Sequence, residues 1–257
     1  MSVESGEIYK VDEHIIACGD CLNSEFVSEV IGDQKVRAVI TDPPYGVDYV
    51  KNKQEVSKLG VQDPKEILGD HSQSETEYSE FTQKWIDAII PHLDEYNTFH
   101  IFNSDTMFFA LRTGMKLSDV YFSQMLVWIK NQPVVGMKDY LSQFEVIAYG
   151  WHGKHKRERS KAKSVLFHPK PNKSKSHPTQ KPVGLIRKII PNVTKIGDVI
   201  YDGFLGGGST AIASHHLGRK CIGIEIDPEY VETCLRRMEK LTTVSYTHLR
   251  AHETQTH

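Results

Sequence analysis

A doubly wound α/β fold on a mostly parallel sheet is the architecture this sequence predicts, and three observations carry that prediction. Short runs rich in β-branched residues alternate with segments of helical period along most of the chain. One such run, VRAVI, leads directly into ITDPPYGVDY at residues 40–49. Near the carboxyl end, DVIY, a loop with three successive glycines and CIGIEI fit a βαβ unit.

The elements follow in chain order. EHIIACGD reads as a strand ending at Gly19-Asp20, and SEFVSEVIG as a short helix. VRAVI is the next strand. Residues 50–75 are polar and unpatterned, and a loop that long in a compact domain is expected to be functional or mobile. Phe81, Trp85 and Ile89 recur at i, i+4 and i+8, predicting a helix whose stripe packs on the sheet. TFHIF then reads as a strand and TMFFALRTGMKL as a helix. YFSQMLVWIK and FEVIAYGW have no helical pattern between them and predict an antiparallel pair at one sheet edge. PVGLIRKII is a helix. The last unit runs as strand (DVIY), loop (Asp202 to Ser209), helix from Thr210, strand (CIGIEI) and helix from Pro228. From Val244 the chain reads VSYTHLRAHETQTH, polar and aperiodic, and resembles translated cloning sequence. Residues 244–257 are therefore set apart as a non-native tail, leaving one domain at 12–243.

Composition bounds the function. The chain has 257 residues, 25% charged and 39% hydrophobic, with a net charge of −2, so any nucleic-acid partner must be met by a local basic surface. No apolar run approaches the ~18 residues of a membrane span and no signal-peptide core precedes Ile8, so a cytoplasmic setting is expected. Cys18, Cys21, Cys221 and Cys234 do not make a disulfide framework in a chain of this size; Cys18 and Cys21 have C-x-x-C spacing, but the other two stand thirteen apart with no clustered His pair, and no metal is expected. Between residues 152 and 176 the composition turns basic. From Lys154 to Lys175 nine Lys or Arg stand against one acid, Glu158. Such a run is either a solvated loop or a phosphate-contacting segment that orders on binding, with Lys154, Lys156, Arg157, Arg159, Lys161 and Lys163 as its contacts.

Asp42 lies at the carboxyl end of a strand, the edge where open α/β sheets bind ligands. Pro43 and Pro44 remove two backbone donors and leave carbonyl acceptors in a stiff frame, and Tyr45 adds a flat face. The matching group is planar and rich in N–H donors, as the exocyclic amine of a nucleobase is. The alternative is a proline-rich turn whose aspartate caps a helix. In the second motif, Gly206 to Gly208 let the backbone approach a ligand, the helix beyond offers free N–H groups, and Glu225, 23 residues after Asp202, can accept ribose hydroxyls. The spacing is not G-x-G-x-x-G, and no G-x-x-x-x-G-K-[ST] occurs.

Together these elements resemble the amino-group DNA methyltransferases of the permuted (beta) class, over roughly residues 12–240. Gly19-Asp20 matches their G-D element, Asp42 to Tyr45 their D-P-P-Y, His177 to Pro182 their H-P-T-Q-K-P, and Asp202, Phe204, Gly206, Gly208, Ser209 and Thr210 their D-x-F-x-G-x-G-[ST]-T loop. Gly203 departs from the family, where many members have proline. The resemblance implies a Rossmann-like, class I methyltransferase fold and S-adenosyl-L-methionine as cofactor. It implies that Asp20 binds the adenine of the cofactor, Glu225 its ribose, and Asp202, Ser209 and the loop amides its methionine end, with Lys181 and Pro182 walling the pocket. Asp227 is a weaker candidate, since it equally suits the N-cap of the helix at Pro228.

By the same resemblance Asp42, Pro43, Pro44 and Tyr45 are catalytic, and double-stranded DNA is the partner. A flipped base would stack on Tyr45, with Trp128, Lys130 and Asn131 lining its other side unless Trp128 is core. Aspartate at the first motif position goes with adenine N6 and serine with cytosine N4, so N6 of adenine is the expected target. Cytosine N4, an RNA or protein-glutamine substrate, and a DNA-binding module without turnover are the alternatives. The absence of a Pro-Cys pair argues against cytosine C5 methylation. A homodimer and a partner restriction endonuclease are further expectations that no residue pattern reads out.

Overall fold

The computed structural model describes residues 3–46, 73–133, 139–159, 161–170 and 180–249. Ten strands form one sheet: β1 (Ile8–Val11), β2 (His14–Cys18), β3 (Val36–Thr41), β4 (Leu93–Asn103), β5 (Val120–Ile129), β6 (Phe144–His152), β7 (Val165–Phe167), β8 (Val199–Asp202), β9 (Lys220–Glu225) and β10 (Thr247–Leu249). Their order is β10-β1-β2-β9-β8-β3-β4-β6-β5-β7. The run β2-β9-β8-β3-β4 is parallel, and β6 pairs antiparallel with both β4 and β5 as expected, although the short β7, parallel to β5, and not this pair, forms the sheet edge.

Among the described residues, six α-helices cover the faces: α1 (Ser24–Ile31), α2 (Glu75–Ile89), α3 (Phe108–Leu117), α4 (Val183–Val193), α5 (Ser209–His216) and α6 (Pro228–Thr242). The first three share one apolar core with the sheet, through residues such as Val27, Trp85 and Leu111. The last three bury Ile189, Ala213 and Leu235 against the opposite face. Both faces being covered, β3 is buried at all six positions, which is why VRAVIT lacks polar alternation. The helical stripe on α2 packs as its spacing requires, with Trp85 and Ile89 buried and Phe81 half-buried. A capping box between Ser74 and Glu77 starts that helix.

From β3 the chain winds outward through α2 to β4, while from the adjacent β8 it winds the other way through α5 to β9. The strand order thus reverses between β3 and β8, which is where such sheets open a crevice at their carboxyl edge.

Three strands carry no clear sequence signal: β1, β7 and β10. Thr247–Leu249 falls in the stretch set apart as a tail and pairs antiparallel with β1, all three side chains exposed. A free sheet edge accepts any extended segment, so this pairing does not speak to the origin of the tail. No helix among the described residues is long and apolar enough to cross a membrane.

Candidate active site

Register lines up four acids at the carboxyl edge of adjacent strands. Cys18 pairs with Glu225 across β2 and β9, and the Gly19 amide donates to the Glu225 carbonyl at 2.9 Å, so Asp20 and Glu225 end neighbouring strands. Asp202 ends β8 beside β9. Thr41 ends β3 and donates its hydroxyl to Asp202 Oδ1 at 2.7 Å, which brings Asp42 to the same edge although 161 positions separate the bonded pair.

The glycine loop is shaped for close approach. Gly206 and Gly208 have φ of +52° and +82°, and a Cβ on Gly208 would lie 2.3 Å from Cys234 Sγ. Gly208 caps α5 without a side chain, leaving the first amides of that helix uncapped. Gly203 also sits tightly: a Cβ there would meet Tyr201 Oη at 3.1 Å and Cys21 Cβ at 3.2 Å. A proline at this position would have to displace one of them, which gives the departure from the family pattern a local cause.

Asp202 and Glu225 are buried and, among the described residues, short of cations. Burial pushes the Asp202 carboxyl up to about 6, against hydrogen bonds from Thr210, Thr41 and the Phe204 amide that lower it. Burial likewise raises Glu225, whose oxygens accept from the Gly206 amide at 2.7 Å and the Asp227 amide at 2.9 Å. Each Glu225 oxygen keeps a lone pair for another donor. Asp20 is exposed and accepts from the Leu22 amide at 2.9 Å.

Around Asp42 the side chains form an alternating chain of charges. Lys181 Nζ lies 2.5 Å from Asp42 Oδ2 and 3.1 Å from Glu145 Oε2, and Lys130 Nζ lies 2.6 Å from Glu145 Oε1. The Tyr45 hydroxyl is 2.9 Å from Asp42 Oδ1 and 3.1 Å from Glu145 Oε2. Burial, then Asp42, raises the Tyr45 phenol well above its usual range, so it stays a donor. Burial alone would raise Glu145, yet Lys181 and Lys130 outweigh it and hold that carboxyl at about 2. Burial raises Asp42 in spite of Lys181. The shorter contact to Lys181 belongs to Asp42, but Glu145 is the more firmly ionised of the two because Lys130 gives it a second cation.

Lys181 joins the two motifs. Its carbonyl accepts from Ser209 Oγ at 2.7 Å, at the start of α5, while its ammonium meets Asp42. It lines a cleft beside Pro182 and Ser209, and its charged end turns to the acceptor side. Gln180, Asn131 and His168 line the same cleft, of about 550 Å³. His177 to Thr179, and the 47–72 part of the long loop, lie outside the described residues.

Of the two readings open for Trp128, the core one holds: it is 2% exposed and its indole N–H donates to the His168 carbonyl at 2.8 Å. Its sequence neighbour Lys130 is the residue that reaches the site. The Phe204 ring packs on Phe81 and edge-on to Trp85, so its amide, 3.1 Å from Asp202 Oδ1, is what faces the loop. Asp227 caps α6, accepting from the Glu229 amide at 2.9 Å.

Lys154, Lys156, Arg157, Arg159, Lys161 and Lys163 are all exposed, as a phosphate-contacting segment requires. Its root is fixed rather than free. Buried Arg37 on β3 donates to the Lys156 carbonyl at 2.9 Å and to Glu158 at 3.1 Å, so the one acid in the basic run is its anchor. Lys154 pairs with Glu95, both exposed.

Asp12, His14 and His215 bring ligand atoms within 4.8 Å of one another. His14 Nδ1 accepts the Cys221 amide at 3.1 Å, which leaves its ring proton on Nε2, 3.3 Å from His215 Nδ1. A metal on Nε2 would force that proton onto Nδ1, facing another N–H. The cluster is a hydrogen-bonded histidine pair at the far end of β2.

A family model described as DNA methylase, of the N6/N4 methyltransferase type, matches residues 36–236. The type II methyltransferase M2.MboI of Moraxella bovis is 25% identical over 249 residues, covering 88% of each chain. M.HinfI of Haemophilus influenzae is 25% identical over 253 residues, 87% of this chain and 67% of that one. Among solved structures, M1.HpyAVI in complex with S-adenosylmethionine is similar at a TM-score of 0.62 and 25% identity, over 86% of this chain and 98% of that one. The cytosine-N4-specific PvuII DNA methyltransferase shares the fold at a TM-score of 0.68 and 17% identity, over 89% of each. With the matched family model spanning both motifs and the edge that joins them, the chain belongs to the N6/N4 DNA methylase family.

Proposed function

We propose that this protein transfers a methyl group to the exocyclic N6 of adenine in a specific sequence of double-stranded DNA. One observation carries the reading: through Lys181 and the Thr41–Asp202 bond, a half-buried carboxylate flanked by tyrosine adjoins a glycine loop lined with further acids. The loop side fits S-adenosylmethionine, since buried Asp202 and Glu225 lack a cation and a diol respectively and the cofactor brings both. When bound, it supplies an electrophilic sulfonium methyl.

The chain's own residues do the rest. An aromatic amine is a poor nucleophile because its lone pair is delocalised into the ring. Asp42 and the Pro43 carbonyl each accept one N–H, drawing the nitrogen toward tetrahedral geometry and turning the lone pair to the methyl. This is preorganisation aimed at positive charge developing on nitrogen. Asp42, raised by burial, takes the proton that the methylated amine releases. The base leaves the duplex at a cost of a few kcal/mol, which stacking on Tyr45 offsets by ~1–3 kcal/mol. The exposed lysines and arginines from Lys154 to Lys163 hold the flanking phosphates. We place the enzyme in the cytoplasm with a restriction endonuclease as partner, a reading supported by relatives named type II methyltransferases.

Adenine is preferred to cytosine on the aspartate at position 42. Sequencing of modified bases in DNA from cells expressing the chain tests this. N6-methyladenine in one recurring sequence is the expected outcome, and N4-methylcytosine without it would overturn the choice of base.

A further inference from the structure

The Lys181 ammonium is held by three oxygens at once: Asp42 Oδ2 at 2.5 Å, Glu145 Oε2 at 3.1 Å and the Tyr45 hydroxyl at 3.1 Å. Two of these belong to the motif that the proposed transfer needs for the target base. The third comes from β6 and has no part in that transfer. To a carboxylate, an ammonium N–H and an amine N–H are the same kind of donor, and the charged one binds more strongly. An ammonium resting on Asp42 therefore fills the acceptor the base requires. It also opposes the reaction, because the nitrogen receiving the methyl gains positive charge and like charges repel strongly in a buried site.

Glu145 offers the ammonium another place. It already contacts Lys181, and Lys130 at 2.6 Å keeps it ionised. A shift of Lys181 fully onto Glu145 would keep the ammonium paired, while Asp42 would keep the Tyr45 hydroxyl and gain the amine N–H in exchange for the cation. We propose that Lys181 is a placeholder for the target amine, and that Glu145 is the positioning residue that draws it off Asp42 when the base enters. Only hydrogen-bond partners exchange; no proton moves. The inference rests on the amine-methylation reading above.

The test uses the full chain with saturating S-adenosylmethionine and unmethylated genomic DNA, measuring tritiated methyl transfer. Rates are normalised to cofactor-binding stoichiometry from calorimetry, which removes losses through unfolding. Glu145→Gln keeps the shape but not the charge, so Lys181 stays on Asp42. KM for DNA rises and kcat falls, lowering kcat/KM about 100-fold, while cofactor affinity holds within about twofold. Adding Lys181→Met to that variant removes the competitor and restores at least about tenfold of the loss, a reversal no purely structural role of Glu145 produces in normalised rates. If Glu145→Gln does not bind cofactor, Lys181→Met alone decides: a KM for DNA below wild type supports the placeholder, and a KM equal or higher overturns it. Glu145→Gln at the wild-type rate, or a double variant no faster than the single, also overturns it. A wild type that binds cofactor but methylates no DNA refutes the parent reading, and this one with it.

Discussion

Replacing Asp202 with asparagine separates stability from function at the donor side of the site. Burial pushes the Asp202 carboxyl up to about 6 from an ordinary value of 3.8, a gap of about 2 units or about 3 kcal/mol at 1.36 kcal/mol per unit. The folded state therefore binds a proton at higher pH than the unfolded one. Stability from this group is greatest at low pH, falls as pH rises from about 4 to about 6, and stays low above that. Asparagine keeps an oxygen for the Thr41 hydroxyl at 2.7 Å and the Phe204 amide at 3.1 Å, but carries no charge. Urea unfolding of the cofactor-free protein at pH 7 should find Asp202→Asn more stable by about 3 kcal/mol, with roughly half that advantage at pH 5. Cofactor affinity should move the other way. In the wild type it falls about tenfold at pH 5, where some nine-tenths of a carboxyl of pKa about 6 is protonated, and in Asp202→Asn it is weak and flat across the same range. An asparagine variant no more stable than wild type, or one that binds S-adenosylmethionine as tightly, would refute the reasoning.

Other perturbations address the remaining parts. Asp42→Ala should abolish methyl transfer and leave cofactor affinity within about threefold by calorimetry, because Lys181 retains Glu145 as its counter-ion; loss of both would contradict its place on the acceptor side. Gly208→Ala should destabilise the fold by about 2–5 kcal/mol in chemical denaturation, combining a φ of +82° with a Cβ 2.3 Å from Cys234 Sγ. Adding Cys234→Ala should relieve the steric part, and a strictly additive double variant would exclude it. Burial and then His215 hold the His14 imidazole down to about 4, so its neutral form is favoured in the fold and stability is lost as pH falls from about 6.5 toward 4. The wild type should lose about 2 kcal/mol between pH 7 and pH 5 that His14→Gln does not, as judged from denaturation midpoints at each pH.

The carboxyl-edge site was legible in the sequence because its residues mark strand ends, and parallel pairing brings strand ends together whatever their order in the chain. Asp42, Asp202 and Glu225 each follow an apolar run, so their convergence needed only the doubly wound topology. The acceptor-side charge chain was not legible, since Lys130 and Glu145 meet across an antiparallel pair whose register no periodicity fixes. A faint signal existed: Glu145 stands second in the apolar run FEVIAYGW, and Lys130 closes YFSQMLVWIK. A charge inside an apolar strand demands a buried partner, and each is the other's. Strands β1, β7 and β10, of four, three and three residues, are too short to show a period.

The directions of the carboxyl shifts follow from where each partner comes from. Glu145 has two lysines supplied by the chain itself, and they overcome its burial. Asp202 and Glu225 have only neutral donors among the described residues, so burial prevails and both are pushed toward the uncharged form. Asp42 lies between these cases: it touches Lys181 but shares it with Glu145, which Lys130 helps to keep ionised, and burial still raises it. A carboxylate so held keeps the Tyr45 hydroxyl as a donor and can take an amine N–H in place of the ammonium. That is what an acceptor waiting for an amine requires, and it is why the short Asp42–Lys181 contact is better read as a resting state than as a permanent ion pair.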